Sequence, residues 1–123
     1  MQRQRSIVVT LGMLIGSVAV SSWVVTLGAA GVQDEALVKK GEQVYAAQKC
    51  SICHGIAGKG SKQNPLDGVG KKLSAEDIRQ WITHPDEMTA KTKSTKKPPM
   101  PKKYTNLPPA DLDALVAYMQ SLK

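Results

Sequence analysis

The chain has 123 residues, 17 Lys plus Arg against 10 Asp plus Glu, and two cysteines, Cys50 and Cys53, only three positions apart. With an apolar N-terminal stretch set aside, that length leaves room for one domain of about 90 residues, and so close a cysteine pair cannot form the several spaced bridges of a disulfide framework. The formal charge of +7 comes with no aromatic-basic interleaving and no nucleic-acid-binding motif, so it argues for an acidic protein partner and against nucleic acid.

Arg5 and Asp34 bracket 28 uncharged positions, and Ile7 to Leu27 within them reads as an N-terminal hydrophobic helix. Arg3 and Arg5 at its start and Gly28, Ala29 and Ala30 at its end suit a cleavable signal peptide. Its length suits an uncleaved membrane anchor slightly better, since a spanning helix needs about 20 apolar residues, although Ser17, Ser21 and Ser22 dilute it. In either case the arginines stay inside and everything after residue 33 faces out. The chain therefore divides into a targeting or anchoring segment, 1–33, and a globular domain, 34–123.

The domain reads as all-α, with three helical patterns and no strand-like alternation. Leu37, Gly41, Val44, Tyr45 and Gln48 share one face of a helix from about Asp34 to Lys49, whose acidic start suits the helix dipole. Ser74 and Asp77 form a capping-box-like start for a short middle helix, with Leu73, Ile78, Trp81 and Ile82 on its apolar side and Pro85 as its stop. Pro109 suits a first helical position, and Leu112, Leu115, Val116, Met119 and Leu122 recur at helical spacing after it. A Gly-rich loop from Gly55 to Gly70 and a Lys- and Pro-rich loop from Lys91 to Pro109 lie between the helices, and their composition predicts no regular structure. After residue 33 there is no Phe, and the large aromatics are Tyr45, Trp81, Tyr104 and Tyr118. So small a set gives a thin core that a bulky prosthetic group would fill.

Cys50-Ser51-Ile52-Cys53-His54 has the C-x-x-C-H spacing of c-type haem attachment, in which each thiol adds to a vinyl group and the histidine faces the iron. A thioredoxin-like dithiol would need a strand-turn-helix setting. A zinc site would need two more ligands, and the rest of the chain offers His84 and no third cysteine. The candidates for a second axial ligand are His84, Met88, Met100 and Met119. Met119 belongs to the last apolar stripe, Met88 falls in a polar segment expected to be exposed, and His84 directly precedes Pro85. Pro98-Pro99-Met100-Pro101 is a stiff, extended stretch that holds a thioether with little ordering cost, which favours Met100 over its alternative role of packing under a Pro-rich loop.

In these parts, taken in order, residues 34–123 resemble a class I bacterial cytochrome c with one haem. The resemblance is carried by Gly41 and Tyr45, the Cys50–His54 box, Pro65 with Leu66, Trp81 to Pro85, Met100-Pro101, and Leu115 to Met119. It implies a cytochrome c fold with loops wrapped around one covalently attached haem c. It further implies that the first and last helices cross closely at Gly41, with Tyr45 meeting Leu115 or Tyr118. The carbonyl of Pro65 would receive the ring proton of His54, fixing its tautomer. Trp81 would stand near the haem propionates, simple packing being an equal alternative. The segment Asp86 to Lys97 is longer and richer in lysine than the family's usual link to its methionine, which leaves Met88 a residual claim.

Iron held by protein on both faces has no vacant position for substrate, so the expected function is single-electron transfer and not catalysis, on the periplasmic side of the membrane. Lys91, Lys93, Lys96, Lys97, Lys102 and Lys103 surround Met100 in sequence. They form either a solvated loop or a docking rim for acidic redox partners. Two further classes stay open: a haem sensor or peroxidase-like protein with a labile methionine, and a cytochrome subunit of a larger dehydrogenase or oxidase.

Overall fold

The computed structural model describes residues 34–123, so the apolar segment expected near the N-terminus lies outside the described residues. Among the described residues no helix is long and apolar enough to cross a membrane.

Helix α1 (Glu35–Ala47) starts at Asp34, whose side chain accepts the backbone N–H of Ala36 at 3.0 Å, satisfying one of the free amides of a helix start. It buries Gly41, Val44 and Tyr45. Lys49 then takes a left-handed conformation (φ 54°) and turns the chain into a 3-10 turn over Cys50–Ile52. A hairpin follows, with two residues in each strand, β1 (Gly55–Ile56) and β2 (Lys59–Gly60), joined through Ala57 and Gly58, both at positive φ. This hairpin, together with a single parallel bridge from Gly55 of β1 to Pro65, departs from the all-α reading, and both are too short to leave an alternating pattern in sequence.

A one-turn helix α2 (Val69–Lys72) leads into α3 (Ala75–Thr83). Ser74 caps α3 as its sequence suggests, accepting from the Asp77 amide at 3.0 Å. α3 ends at Thr83, just ahead of Pro85, as expected. Pro85 also occupies the first turn of a further helix, α4 (Pro85–Thr92), where a residue without an N–H costs nothing and a fixed φ is an advantage. Asp86 and Glu87 then sit in the turn where negative charge is favoured. One consequence is that Met88, expected to be exposed, is buried under α4 with 5% of its surface accessible. The lysine- and proline-rich segment also contains a 3-10 turn at Lys102–Tyr104, which buries Tyr104.

The last helix, α5 (Pro109–Ser121), has Pro109 at its start as predicted and crosses α1. A Cβ placed on Gly41 would stand 2.0 Å from the Ala114 carbonyl oxygen, so only glycine permits this approach. Beside it Tyr45 and Tyr118 pack edge to face with ring centroids 5.9 Å apart. Lys40 pairs with Asp111 at 2.9 Å, and Arg79 ties α3 to α5 through Asp113 at 2.6 Å. The end of α5 is stitched to α2: the Gly70 amide donates to Leu122, Gln120 Nε2 to the Leu73 carbonyl, and Lys123 Nζ to the Gly70 carbonyl. The buried apolar cluster, which includes Val44, Tyr45, Ile78, Ile82, Leu115 and Met119, gathers around this frame.

Candidate cofactor site

Much of that cluster does not close on itself. Tyr45, Ile78, Ile82, Tyr104, Leu115 and Met119 also line a cleft of about 270 Å³. The thin core inferred from composition thus takes the form of a hollow one, with an apolar wall.

Cys50, Cys53 and His54 all face this cleft. The 3-10 turn and the β1 bridge place them. Cys53 and His54 both donate their amides to the Cys50 carbonyl, at 3.1 and 2.9 Å, which folds the five-residue motif into one compact turn. The two thiols are half-buried and not bonded to each other. Burial pushes the Cys50 thiol up, with the nearby Lys103 charge partly opposing it. A nucleophilic dithiol needs its attacking thiol shifted down, so this environment does not suit thioredoxin-like chemistry. Among the described residues no three His, Cys, Asp or Glu side chains gather into a metal-binding group, which also disfavours zinc.

His54 is oriented through its Nδ1, which lies 3.1 Å from the carbonyl oxygen of Asn64. A carbonyl only accepts, so Nδ1 carries the proton and Nε2 keeps its lone pair for a metal. The expected acceptor was the carbonyl of Pro65. The strand bridge explains the shift: Gly55 receives Leu66's amide at 2.7 Å and gives its own to Asn64, so the Asn64 carbonyl points toward His54. The carbonyl one residue later in an extended chain points away. Pro65 itself is exposed and lies outside the cleft lining. The main chain of His54 is held as well, its carbonyl accepting the Tyr45 hydroxyl at 3.0 Å. Burial pushes the Tyr45 phenol up to about 12, with Cys50 and Tyr118 adding to the effect.

Of the four candidates for a second ligand, Met100 and Met119 reach the cleft. Met100 does so from the Pro-rich segment, as its setting between Pro99 and Pro101 suggests. Met119 does so from α5, where it belongs to the core. Met88 is buried elsewhere, and His84 is exposed with its Nδ1 2.8 Å from the Thr83 hydroxyl. Trp81 lines the cleft, half-buried. Two thiols, an imidazole with a free Nε2 and a thioether around one apolar cleft are the donor set that a covalently attached iron porphyrin needs, so the residues fit that group.

All six lysines of the expected rim are exposed, and Lys96 lies at the cleft itself. Two are already matched by acids: Lys102 pairs with Asp86, which raises its pKa through a hydrogen bond and direct charge attraction, and Lys91 lies 3.9 Å from Asp77. Sequence reasoning missed the roles of Asn64 and Tyr104, whose hydroxyl donates to the Gln48 carbonyl at 3.3 Å. Neither leaves a signal in sequence, because one acts through its backbone and the other across 56 positions.

The cytochrome c family model matches residues 38–123. The sequence is 28% identical over 98 residues to cytochrome c oxidase subunit 2 of Alkalihalophilus pseudofirmus, an alignment that covers 72% of this chain and 27% of that protein. The chain thus spans about a quarter of the length of that relative. No solved structure gives a significant match.

Proposed function

Because this chain belongs to the cytochrome c family, whose members carry covalently attached haem c, we propose that it is a one-electron carrier with haem joined to Cys50 and Cys53 and iron held by His54 and Met100. Haem c supplies the one-electron iron couple. The protein's own residues set its conditions: an apolar wall limits water, the Asn64 carbonyl holds His54 in its metal-binding tautomer, and the Pro-rich segment presents Met100. Thioether ligation and burial both favour the reduced state, so the carrier works at mid to high potential. Trp81, which lines the cleft, would meet the propionates of the bound haem.

The observation that carries this reading is the convergence of the two thiols, His54 and Met100 on one cleft. It is tested on holoprotein made in a host that attaches c-type haem. Haem that survives denaturation and solvent extraction, with a low-spin spectrum and the red-edge thioether-to-iron band in the oxidised state, supports it. Loss of that band in Met100→Ala assigns the ligand, and an unchanged band in the variant refutes it.

The family suggests a location outside the cytoplasm. The segment 1–33 then acts as a signal peptide or, by its length, an anchor on the outer face of the membrane, and sequencing the mature N-terminus decides between them. The exposed lysines near Met100 serve as the docking rim for an acidic redox partner. The likeness to an oxidase subunit favours a second setting, in which the same electron transfer runs inside a fixed oxidase complex. Co-purification with oxidase subunits in mild detergent separates that from a free shuttle.

A further inference from the structure

The segment that presents Met100 is mostly surface. Residues 95–99 and 101–103 are exposed, and within 95–104 the chain reaches inward at Met100 and Tyr104. Tyr104 is 8% exposed, lines the cleft four residues beyond Met100, and gives its hydroxyl to the Gln48 carbonyl at the end of α1. Two residues further along, Cys50 begins the thiol motif. On the other side of the Lys102–Tyr104 turn, the Thr105 hydroxyl lies 2.8 Å from the Lys102 carbonyl and 3.1 Å from the Thr83 carbonyl, and Lys102 pairs with Asp86.

We propose that Tyr104 is a positioning residue for the axial methionine: its hydroxyl, given to the Gln48 carbonyl, holds the Met100 segment closed across the cleft against the chain that leads to Cys50. The role rests on the reading of Met100 as the iron's thioether ligand. A small external base can take that iron position only when the segment opens, so its apparent affinity scales with the open fraction. Removing one hydrogen bond that exists only in the closed form raises that fraction by roughly threefold to tenfold.

Tyr104→Phe keeps the ring in the cleft and deletes the hydroxyl alone. The experiment titrates imidazole into the oxidised holoprotein and follows loss of the red-edge thioether band, for the wild type, Tyr104→Phe and Ser74→Ala. The last variant weakens the cap at the start of α3, the opposite end from Thr83, and serves as a control for general loss of stability. Expected is a band in all three proteins at zero imidazole and binding threefold to tenfold tighter in Tyr104→Phe, with Ser74→Ala unchanged. Equal affinity in Tyr104→Phe and wild type overturns the role, as does an equal gain in Ser74→Ala. A wild type without the band refutes the methionine ligand itself, and the positioning role with it, so the two failures are read from different samples.

Discussion

Gly41 on α1 lies against the backbone of Ala114 on α5 so closely that the first carbon of any side chain would sit 2.0 Å from a carbonyl oxygen and 2.6 Å from the Cβ of Tyr118. Both neighbours belong to a rigid helix, so neither can step aside. The crossing sets how near the two helices stand, and with it where Tyr45 enters the cleft.

Replacement of Gly41 by Ala sets two effects against each other. Helix propensity favours Ala by about 1 kcal/mol, whereas prising apart two packed helices costs more, by the overpacking penalty of about 1–3 kcal/mol or above. The expected outcome is a net loss, read as a lower denaturant midpoint of the holoprotein. A midpoint at or above wild type would show that the helices separate freely.

Met88 and Met100 are separable by experiment. Met88 is buried beneath α4 and away from the cleft, so Met88→Leu, a volume-conserving change, is expected to cost less than about 1.5 kcal/mol and to leave the oxidised spectrum intact. Loss of the thioether band in Met88→Leu would transfer the ligand role to it.

Tyr45 makes stability fall at high pH. Its folded pKa is raised from the ordinary 10 to about 12, so the folded state holds the proton while the unfolded state has lost it. Stability is therefore complete below pH 10 and is lost as pH rises toward 12. Denaturant midpoints measured across that range are expected to drop less steeply in Tyr45→Phe than in wild type. At neutral pH the same variant loses about 1 kcal/mol with its hydrogen bond to His54. Parallel pH curves for the two proteins would assign the alkaline loss to other groups.

The lysines near Met100 should not be equivalent. Lys102 and Lys91 face Asp86 and Asp77, whereas Lys96 stands at the cleft and no ion pair is found for it among the described residues. Oxidation of the reduced protein by a small anionic oxidant is expected to slow as salt rises. Lys96→Glu should lower the low-salt rate by about threefold or more, and Lys102→Glu by less than about twofold, on the scale of electrostatic steering. Equal effects at the two positions would mean that nearness to the cleft does not set how much a lysine contributes.

The parts of this protein legible in its sequence are those written in short-range pattern. The acidic start of α1, the cap of α3, Pro109 at the start of α5, the glycine at the crossing and the thiol motif all depend on residue type at fixed local spacing. α4 is not legible because Pro85 signals an end and a beginning equally well, and the choice depends on Met88 finding a buried site. The acceptor for His54 was placed one residue off, on Pro65, because the direction of a carbonyl follows from strand register and not from the side chain it accompanies. Tyr104 could be counted as an aromatic, but its partner carbonyl is fixed only by the tertiary path.

The three hydrogen bonds between the end of α5 and α2 give the cleft a weak seam. Val69 and Leu73 line the cleft, and the backbone between them is fastened through Gly70 and Leu73 to Gln120, Leu122 and Lys123. A Cβ on Gly70 would meet the Gln120 carbonyl at 2.3 Å, so the fit there is backbone against backbone. Helix ends fray first, and when the last turn of α5 frays it takes this fastening with it. The Gly70 amide is thus a built-in reporter: its hydrogen-exchange rate measures how often water gains a side entrance to the cleft without the rest of the domain unfolding.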